Sequence, residues 1–466
     1  MRPLLVASLA GLLACGSVFS YGSAFADTPR PNIVLIVADD LGRSDVGFNG
    51  GEIRTPNLDR LAATGVRLDR FYACPVCSPT RAGLMTGRWP LRYGLMRTVI
   101  PPWSDYGLPL SEQTLPEVLA GAGYERRGMV GKWHLGHARR EFLPLSRGFT
   151  SFYGHYNAAI DYFTHLREGE VDWHRDEATV KEEGYATDLL AAEAARFVEA
   201  APAGSPYFLY VAFNTPHSPY QAKEDDLARY PDLKGNRRTY AAMVDCLDQG
   251  VGRILAAIES RPDADDTFVL FFSDNGGPVR PARNAPLRDG KFSVYEGGVR
   301  VAAAVRWPAG GLAGGRVCAE PVGYVDVLPT LRRVAGAEPR PSDPPADGID
   351  VLDALRGERP VPQRPWFSYV APAEGEQAAV TFGDWKLVAR GTDVLSPETP
   401  SDATLELYDL GHDPGERNDL AAEQADRVEE LRRRLVEFGR LRPEQGVAPY
   451  AEGRRGFKAP KDWVIR

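Results

Sequence analysis

The sequence predicts an α/β protein: a large mixed, mostly parallel sheet flanked by helices, with a smaller C-terminal α+β domain. Continuous apolar runs, typical of strands buried on both faces of a parallel sheet, occupy residues 31–40, 207–213 and 267–272. Helix-like stretches with Leu, Ala and Val at helical spacing occupy residues 113–122, 186–200 and 241–260. Strands that alternate with helices over this length indicate a doubly wound sheet.

The smaller domain is predicted from a change in composition. Residues 338–345 (EPRPSDPP) are linker-like, because clustered Pro, Ser and Asp interrupt regular structure. A charged helix candidate at residues 421–441 follows the short strand candidates 366–370, 379–387 and 405–409. A small antiparallel sheet with one helix is therefore expected. We assign residues 27–345 to the N-terminal domain and residues 346–466 to the C-terminal domain.

The N-terminus has the features of a secretory signal peptide. Arg2 precedes an apolar run over residues 4–19, and residues 24–26 (AFA) are the small residues that a signal peptidase reads. We therefore predict a signal peptide over residues 1–26 and an exported protein, periplasmic or secreted. The run is short and broken by Gly and Ser, so we predict no membrane-spanning segment in the mature chain. Residues 12–15 (LLAC) resemble a bacterial lipobox, which makes a lipid anchor at Cys15 the alternative to free secretion.

The charge balance excludes one class of partner. The chain has 466 residues and a formal net charge of −8. A general nucleic-acid-binding protein would present a basic face, so we predict no nucleic-acid partner. An anionic substrate is not excluded, because a small cationic cleft can lie within an acidic surface.

Polar residues follow the three apolar runs directly, where ligands collect in a parallel sheet. Asp39 and Asp40 end the first run, His217 follows the second, and Asp274 and Asn275 follow the third. Any one of these alone is explained as well by a turn after a strand, where Asp and Asn are favoured. Together they provide three carboxylates and an amide oxygen. Such hard oxygen ligands suit calcium or magnesium better than zinc.

The most specific motif lies in residues 74–88 (CPVCSPTRAGLMTGR). Cys77, Pro79 and Arg81 form Cys-x-Pro-x-Arg, followed by Thr-Gly-Arg. A Cys-x-x-Cys pair alone would indicate structural thiols, a metal site or a redox pair formed by Cys74 and Cys77. The extended motif instead resembles the signature of type I sulfatases, the formylglycine-dependent, arylsulfatase-like branch of the alkaline phosphatase superfamily.

Further segments carry the same resemblance along residues 31–440. They are residues 55–59 (TPNLD), 131–136 (GKWHLG), 284–300 (NAPLRDGKFSVYEGGVR), 326–330 (DVLPT) and 407–414 (LYDLGHDP). The resemblance implies an alkaline-phosphatase-like sheet in a catalytic N-terminal domain. It also implies a sulfuric ester hydrolase that acts on carbohydrate or aryl sulfates and releases inorganic sulfate.

The resemblance assigns roles to particular residues. Cys77 would be oxidised to formylglycine by a dedicated maturation enzyme, and Arg81 would fix the modified residue. The metal, usually calcium with magnesium as the alternative, would be held by Asp39, Asp40, Asp274, Asn275 and modified Cys77. The sulfate would be surrounded by Lys132, His134, His217 and Lys291.

The implied mechanism depends on the two hydroxyls of hydrated formylglycine. One hydroxyl attacks sulfur, and His217 or Lys291 protonates the leaving alcohol. His134 then removes the proton of the second hydroxyl, which expels sulfate and restores the aldehyde. A serine has only one hydroxyl and would stop as a sulfate ester.

Two other functions stay open at this point. A phosphonate monoester or phosphodiester hydrolase of the same superfamily would prefer phosphate diesters, although the two lysines favour sulfate. A catalytically inactive glycan-binding relative would have gaps among the site residues, and the sequence shows none.

Selectivity is expected from loops around the site, and disulfide pairing of Cys74, Cys246 and Cys318 stays open. The loops expected to contact the substrate contain Trp103, Tyr156, Asp161, Tyr162, Trp173 and His174. His155 or Asn157 is the candidate for a further polar contact. The residues expected to shape the pocket or line its rim are His137, His165 and His174.

Overall fold

The computed structural model describes residues 30–372, 375–398 and 400–465. The predicted signal peptide and Cys15 lie outside these residues. Within them, no helix is long and apolar enough to cross a membrane.

Nineteen strands occur in the described part of the chain. They are β1 Asn32–Ala38, β2 Val66–Leu68, β3 Phe71–Tyr72, β4 Arg126–Lys132, β5 Ser151–His155, β6 Leu166–Arg167, β7 Glu170–Val171, β8 His174–Arg175, β9 Ala178–Thr179, β10 Tyr207–Ala212, β11 Thr267–Ser273, β12 Arg300–Val301, β13 Ala303–Arg306, β14 Arg316–Cys318, β15 Val322–Gly323, β16 Trp366–Val370, β17 Glu376–Phe382, β18 Trp385–Gly391 and β19 Thr404–Asp409.

Ten α-helices occur in the same residues. They are α1 Pro56–Thr64, α2 Cys77–Thr86, α3 Leu115–Gly121, α4 Ala186–Glu199, α5 Glu224–Leu227, α6 Gly235–Glu259, α7 Glu296–Val299, α8 Val327–Val334, α9 Leu352–Arg356 and α10 Ala425–Gly439. The predicted helices correspond to α3, α4, α6 and α10, with α6 beginning earlier than expected.

The predicted fold class is confirmed. Ten strands form one sheet in the order β14-β2-β13-β11-β1-β10-β4-β5-β8-β9. The five central strands, β11 to β5 in that order, are mutually parallel. The three predicted apolar runs form β1, β10 and β11, and these are direct neighbours. Their carboxyl ends therefore meet at one edge of the sheet.

Side-chain alternation along β1 explains why helices cover both faces of the sheet. Ile33, Leu35 and Val37 face a core that contains residues of α2, α3 and α8. Val34 and Ile36 face a second core that contains residues of α4 and α6. Successive side chains of a strand point to opposite faces, so a strand covered on both faces must be apolar throughout.

The C-terminal part contains the expected small antiparallel sheet, in the order β16-β17-β18-β19. The predicted strand at residues 379–387 is wrong, because this stretch spans the end of β17, a turn and the start of β18. Gly383 occupies the turn with a φ of +64°, a left-handed conformation that glycine adopts without steric cost. The sequence pattern did not predict this turn, because apolar residues lie on both sides of it.

Helix α10 packs on this sheet through Leu431, Leu435 and Phe438. By contrast, Leu352 and Leu355 of α9 belong to the core of the large sheet. The domain boundary near residue 345 stays a prediction.

A buried ion-pair cluster joins the small sheet to the large domain. Lys386 of β18 has its Nζ 2.9 Å from a carboxylate oxygen of Glu296 and 2.9 Å from one of Glu416. All three side chains are nearly inaccessible to water. A cation at this position therefore compensates two carboxylates at once.

We expect Lys386→Met to lower the free energy of unfolding by about 3–5 kcal/mol, because two buried carboxylates lose their cation. Urea-induced unfolding would measure the change. Lys181→Met removes an ammonium that is 71% exposed and should leave the unfolding midpoint nearly unchanged. A loss in Lys386→Met no larger than in this control would contradict the role of the cluster.

Candidate active site

The carboxyl ends of β1 and β11 bring three carboxylates together. Asp39 and Asp40 follow β1, and Asp274 and Asn275 follow β11. The backbone N–H of Asp40 donates to Asp274 Oδ1 at 3.3 Å, and Asn275 Nδ2 donates to Asp40 Oδ1 at 2.8 Å. All four side chains are buried. The polar residues predicted from two separate runs therefore form one cluster.

Cations from three different segments neutralise this cluster. Lys132, the last residue of β4, has its Nζ 2.5 Å from Asp39 Oδ2. Lys291 Nζ lies 2.8 Å from a carboxylate oxygen of Asp40. The third cation is the guanidinium of Arg81 in α2.

Arg81 connects α2 to the carboxyl ends of β11 and β4. Its Nε and Nη2 donate to Asp274 Oδ2 at 3.0 and 2.7 Å, and its Nη1 donates to the carbonyl of Lys132 at 3.1 Å. The side chain is fully buried. Arg81 thus fixes the orientation of the helix that begins with Cys77.

The Cys77 thiol faces a histidine. Its Sγ lies 3.3 Å from His134 Nδ1, and His134 Nε2 lies 3.0 Å from the carbonyl oxygen of Ile100. A carbonyl only accepts, so Nε2 carries the proton and the lone pair of Nδ1 points at Cys77. Burial lowers the pKa of His134 well below its usual value, and Lys132 and Arg81 lower it further. His134 is therefore a neutral imidazole whose basic nitrogen faces position 77.

His217 occupies the solvent side of the cluster, with a side chain that is 15% exposed. Its Nδ1 lies 2.6 Å from the carbonyl of Ser218, so Nδ1 carries the proton, and Nε2 lies 3.7 Å from Asp40 Oδ2. Burial and then Lys291 lower the pKa of His217 to about 3, against the opposing effect of Asp40.

Burial and neighbouring groups shift the pKa values of two carboxyls, Asp274 and Asp40, in opposite directions. Burial raises the pKa of Asp274 to about 6, assisted by Asp39 and opposed by Arg81. Burial acts in the same direction on Asp40, but Lys291, His217 and Asn275 together outweigh it and lower the pKa of that carboxyl. The cluster thus holds more negative charge than burial alone would allow.

Two site residues adopt the left-handed backbone conformation. Asp40 has a φ of +67° and His134 a φ of +55°. Asp and His tolerate this region better than most residues, yet it still costs energy. Residues held in such conformations concentrate at functional sites, where the surrounding structure stabilises them.

The residues fit a divalent cation. Among the described residues, Asp39 Oδ1 and Asn275 Oδ1 are buried and have no hydrogen-bond partner. Ligand atoms of Asp39, Cys77 and Asp274 all lie within 4.8 Å of one another, as do those of Asp39, Asp40 and His217. Buried oxygens without donors are expected where a cation takes the place of the donor.

All ten residues predicted for the site lie in this one cluster, although their roles stay predictions. Cys74 is separate from it, because its thiol donates to Tyr324 Oη at 3.1 Å. The described cysteines, Cys74, Cys77, Cys246 and Cys318, are all unpaired. This geometry does not favour a Cys74–Cys77 metal or redox pair.

Many residues of the surrounding loops are buried. The loops expected to determine selectivity contain three fully buried aromatic residues, namely Tyr156, Tyr162 and Trp173. The histidines expected to shape the pocket or line its rim are buried as well, namely His137, His165 and His174. They pack against aromatic rings, as His174 does on Tyr156 with ring centroids 4.1 Å apart. The sequence pattern missed Ile100, because it acts through its backbone carbonyl and leaves no side-chain signal.

Comparison with known proteins identifies the family. A family model described as Sulfatase matches residues 31–337. The chain belongs to the sulfatase family. Sulfatases are sulfuric ester hydrolases of the alkaline phosphatase superfamily, in agreement with the predicted fold and enzyme class.

Individual relatives of this sulfatase cover most of its length. Mouse N-acetylgalactosamine-6-sulfatase is 36% identical over 90% of this chain and 85% of its own. Human arylsulfatase A is 34% identical over 90% of this chain and 89% of its own. The crystal structure of Ps i-CgsB in complex with k-i-k-neocarrahexaose is 32% identical, with a TM-score of 0.81 over 89% of this chain and 94% of that one.

We expect added Ca²⁺ to stabilise the sulfatase by about 2.7 kcal/mol at a hundredfold excess over the dissociation constant. Asn275→Ala removes an amide oxygen that has no donor and should reduce this stabilisation sharply. Asp248→Asn changes a buried aspartate that accepts from the Leu58 amide, outside the cluster, and should keep the Ca²⁺ effect. Thermal unfolding with and without a chelator measures both, and an equal Ca²⁺ response in the two variants would argue against the site.

Proposed function

We propose that this sulfatase hydrolyses sulfate monoesters of carbohydrates or aryl alcohols and releases inorganic sulfate, using a formylglycine at position 77 and a divalent cation, most suitably Ca²⁺. The observation that carries the proposal is the position of Cys77, whose Sγ faces the basic nitrogen of His134 at 3.3 Å within the cluster of carboxylates and cations.

The names of the relatives support a carbohydrate or aryl ester as substrate. One relative is named for N-acetylgalactosamine 6-sulfate and another as an arylsulfatase. Ps i-CgsB was crystallised with a neocarrahexaose. Because these proteins align over most of their length with this chain, their substrates define the class to test first.

The charges of the site suit a sulfate anion. Lys132 and Lys291 hold their ammonium groups against Asp39 and Asp40 at one end of the sheet. A sulfate placed beside them is attracted by both cations, and their positions are held by ion pairs before it binds. Such preorganised charge stabilises an anionic transition state at little reorganisation cost.

Two groups absent from the encoded chain complete the chemistry. A divalent cation held by Asp39, Asp40, Asp274, Asn275 and residue 77 would offset the charge of the sulfate and acidify a hydroxyl at position 77. Formylglycine, in its hydrated form, would supply two hydroxyls on one carbon where Cys77 has one thiol. Activity would therefore require a maturation enzyme, and export with removal of residues 1–26 stays part of the proposal.

The chain's own residues would move the protons. His134 Nδ1, which carries no proton, would accept one from a hydroxyl of residue 77, while the Ile100 carbonyl keeps the ring oriented. His217 or Lys291 would protonate the leaving alcohol. The ammonium of Lys291 already carries protons beside Asp40. His217 holds its proton on Nδ1 against the Ser218 carbonyl, so its Nε2 would have to accept a proton before it could donate one.

We expect Cys77→Ser to reduce turnover of 4-nitrophenyl sulfate by at least about 100-fold, because serine offers one hydroxyl instead of two. Mass spectrometry of the wild-type peptide containing residue 77 should show the aldehyde in place of the thiol. Cys74→Ser is the matched control and should stay active. A fully active protein with unmodified Cys77, or faster turnover of phosphate diesters than of sulfates, would overturn the proposal.

We expect substitution of the proton donor, His217→Ala or Lys291→Ala, to lose about 100-fold or more in kcat on a sugar sulfate, whose alcohol needs a proton to leave, and much less on 4-nitrophenyl sulfate. The variant of the other residue should lose similar factors on both substrates. Equal losses on the two substrates in both variants would transfer the proton-donating role to another residue.

A further inference from the structure

An exposed aromatic side chain borders the site immediately after Lys291. Phe292 is 51% exposed, and its backbone has a φ of +69°. The ammonium of Lys291 lies 5.3 Å from the centre of its ring. Since that ammonium also contacts Asp40, the ring lies at the edge of the proposed sulfate position.

The conformation of Phe292 is unfavourable for the isolated chain. A bulky residue in the left-handed region is an outlier, unlike the Asp and His residues of the site, and an exposed ring gains little from burial. Trp463 also has a positive φ, of +48°, but it is 1% exposed and its Nε1 donates to the Arg167 carbonyl. Burial offsets the strain at Trp463, whereas at Phe292 nothing comparable does so.

The surrounding structure nevertheless holds Phe292 in place. Its backbone N–H donates to the carbonyl of Pro75 at 3.0 Å, two residues before Cys77. Gln377 of β17 donates to the Phe292 carbonyl at 3.5 Å and accepts from the Val294 N–H at 3.4 Å. These bonds tie the backbone at 292 to the loop between β3 and α2 and to the small sheet. The ring is therefore presented at a defined position.

The neighbouring segment adds a second exposed apolar side chain. Lys291 donates its backbone N–H to the Gly277 carbonyl at 3.1 Å. Val279, two residues further along that segment, is 59% exposed. Two apolar side chains thus flank the side of the site on which Lys291 lies.

We propose that Phe292 is the platform on which the ring of the sulfated alcohol rests, whether that ring belongs to a sugar or to an aryl group. In an aryl sulfate or a secondary sugar sulfate, the ring carries the oxygen that joins it to sulfur, and in a 6-O-sulfate one methylene group separates the ring from that oxygen. A sulfate held by Lys291 therefore brings this ring beside Phe292. Aromatic rings bind the apolar faces of other rings. The inference rests on the proposed sulfatase activity and adds a determinant of substrate preference to it.

The test compares Phe292→Gly with the wild type on ligands with and without a ring. Glycine removes the left-handed strain, so the thermal unfolding midpoint should stay equal or rise. The value of kcat/KM for 4-nitrophenyl sulfate and for a sulfated N-acetylhexosamine should fall about tenfold, mainly through KM. The inhibition constant of inorganic sulfate, which has no ring, should stay unchanged.

Two further variants control the experiment. Phe292→Tyr keeps an aromatic ring and should keep most of the activity. Phe163→Gly removes another half-exposed aromatic residue, outside the proposed platform, and should not change KM.

The outcomes separate the inference from the proposed function. Unchanged kcat/KM in Phe292→Gly would overturn the platform, and so would a weaker sulfate inhibition that matches the loss in kcat/KM. A lower unfolding midpoint with equal losses on all ligands would assign Phe292 a structural role, and altered self-association with normal kinetics would assign it to an interface between copies. A wild-type protein with no activity on any sulfate ester would instead reject the proposed function itself.

Discussion

The site depends on one electrostatic constraint: three carboxylates are buried side by side. Asp39, Asp40 and Asp274 repel one another, and burial penalises each charge. Lys132, Arg81 and Lys291 compensate them from three separate segments of the chain. Because each cation is needed for this balance, each is held in place before any substrate arrives. The same constraint that stabilises the folded site therefore positions the groups that would bind a sulfate.

The parallel sheet brings these charged residues together at one edge, and its strands leave little space between them. Gly131 precedes Lys132 in β4 with a φ of +111°, and a side-chain carbon there would lie 2.0 Å from the Ala212 carbonyl of β10. Glycine therefore lets the two strands pair where Lys132 turns toward Asp39. The left-handed backbone of His134 follows two residues later. Close packing and strain thus occur together next to the reactive centre, as expected where geometry is held at an energetic cost.

The parts of the molecule that could be predicted from sequence are those with a repeating or clustered chemical signal. The buried strands are recognisable as unbroken apolar runs, and Asp39 and Asp274 follow such runs directly. The turn at Gly383 could not be recognised, since apolar residues continue on both sides of it. The burial of Tyr156 could not be predicted either, because the sequence does not show whether an aromatic residue in a loop packs inward or faces a substrate.

The chemistry of the site and its selectivity have different physical origins. Charge balance among buried groups tolerates few substitutions, because removing one partner leaves an unpaired charge. Relatives named for an amino-sugar sulfate and for aryl sulfates align over most of this chain. Differences in preference must then arise where substitution carries little electrostatic cost, among side chains that border the cluster without compensating it. Phe292 meets that condition, because its uncharged ring borders Lys291 and is half exposed.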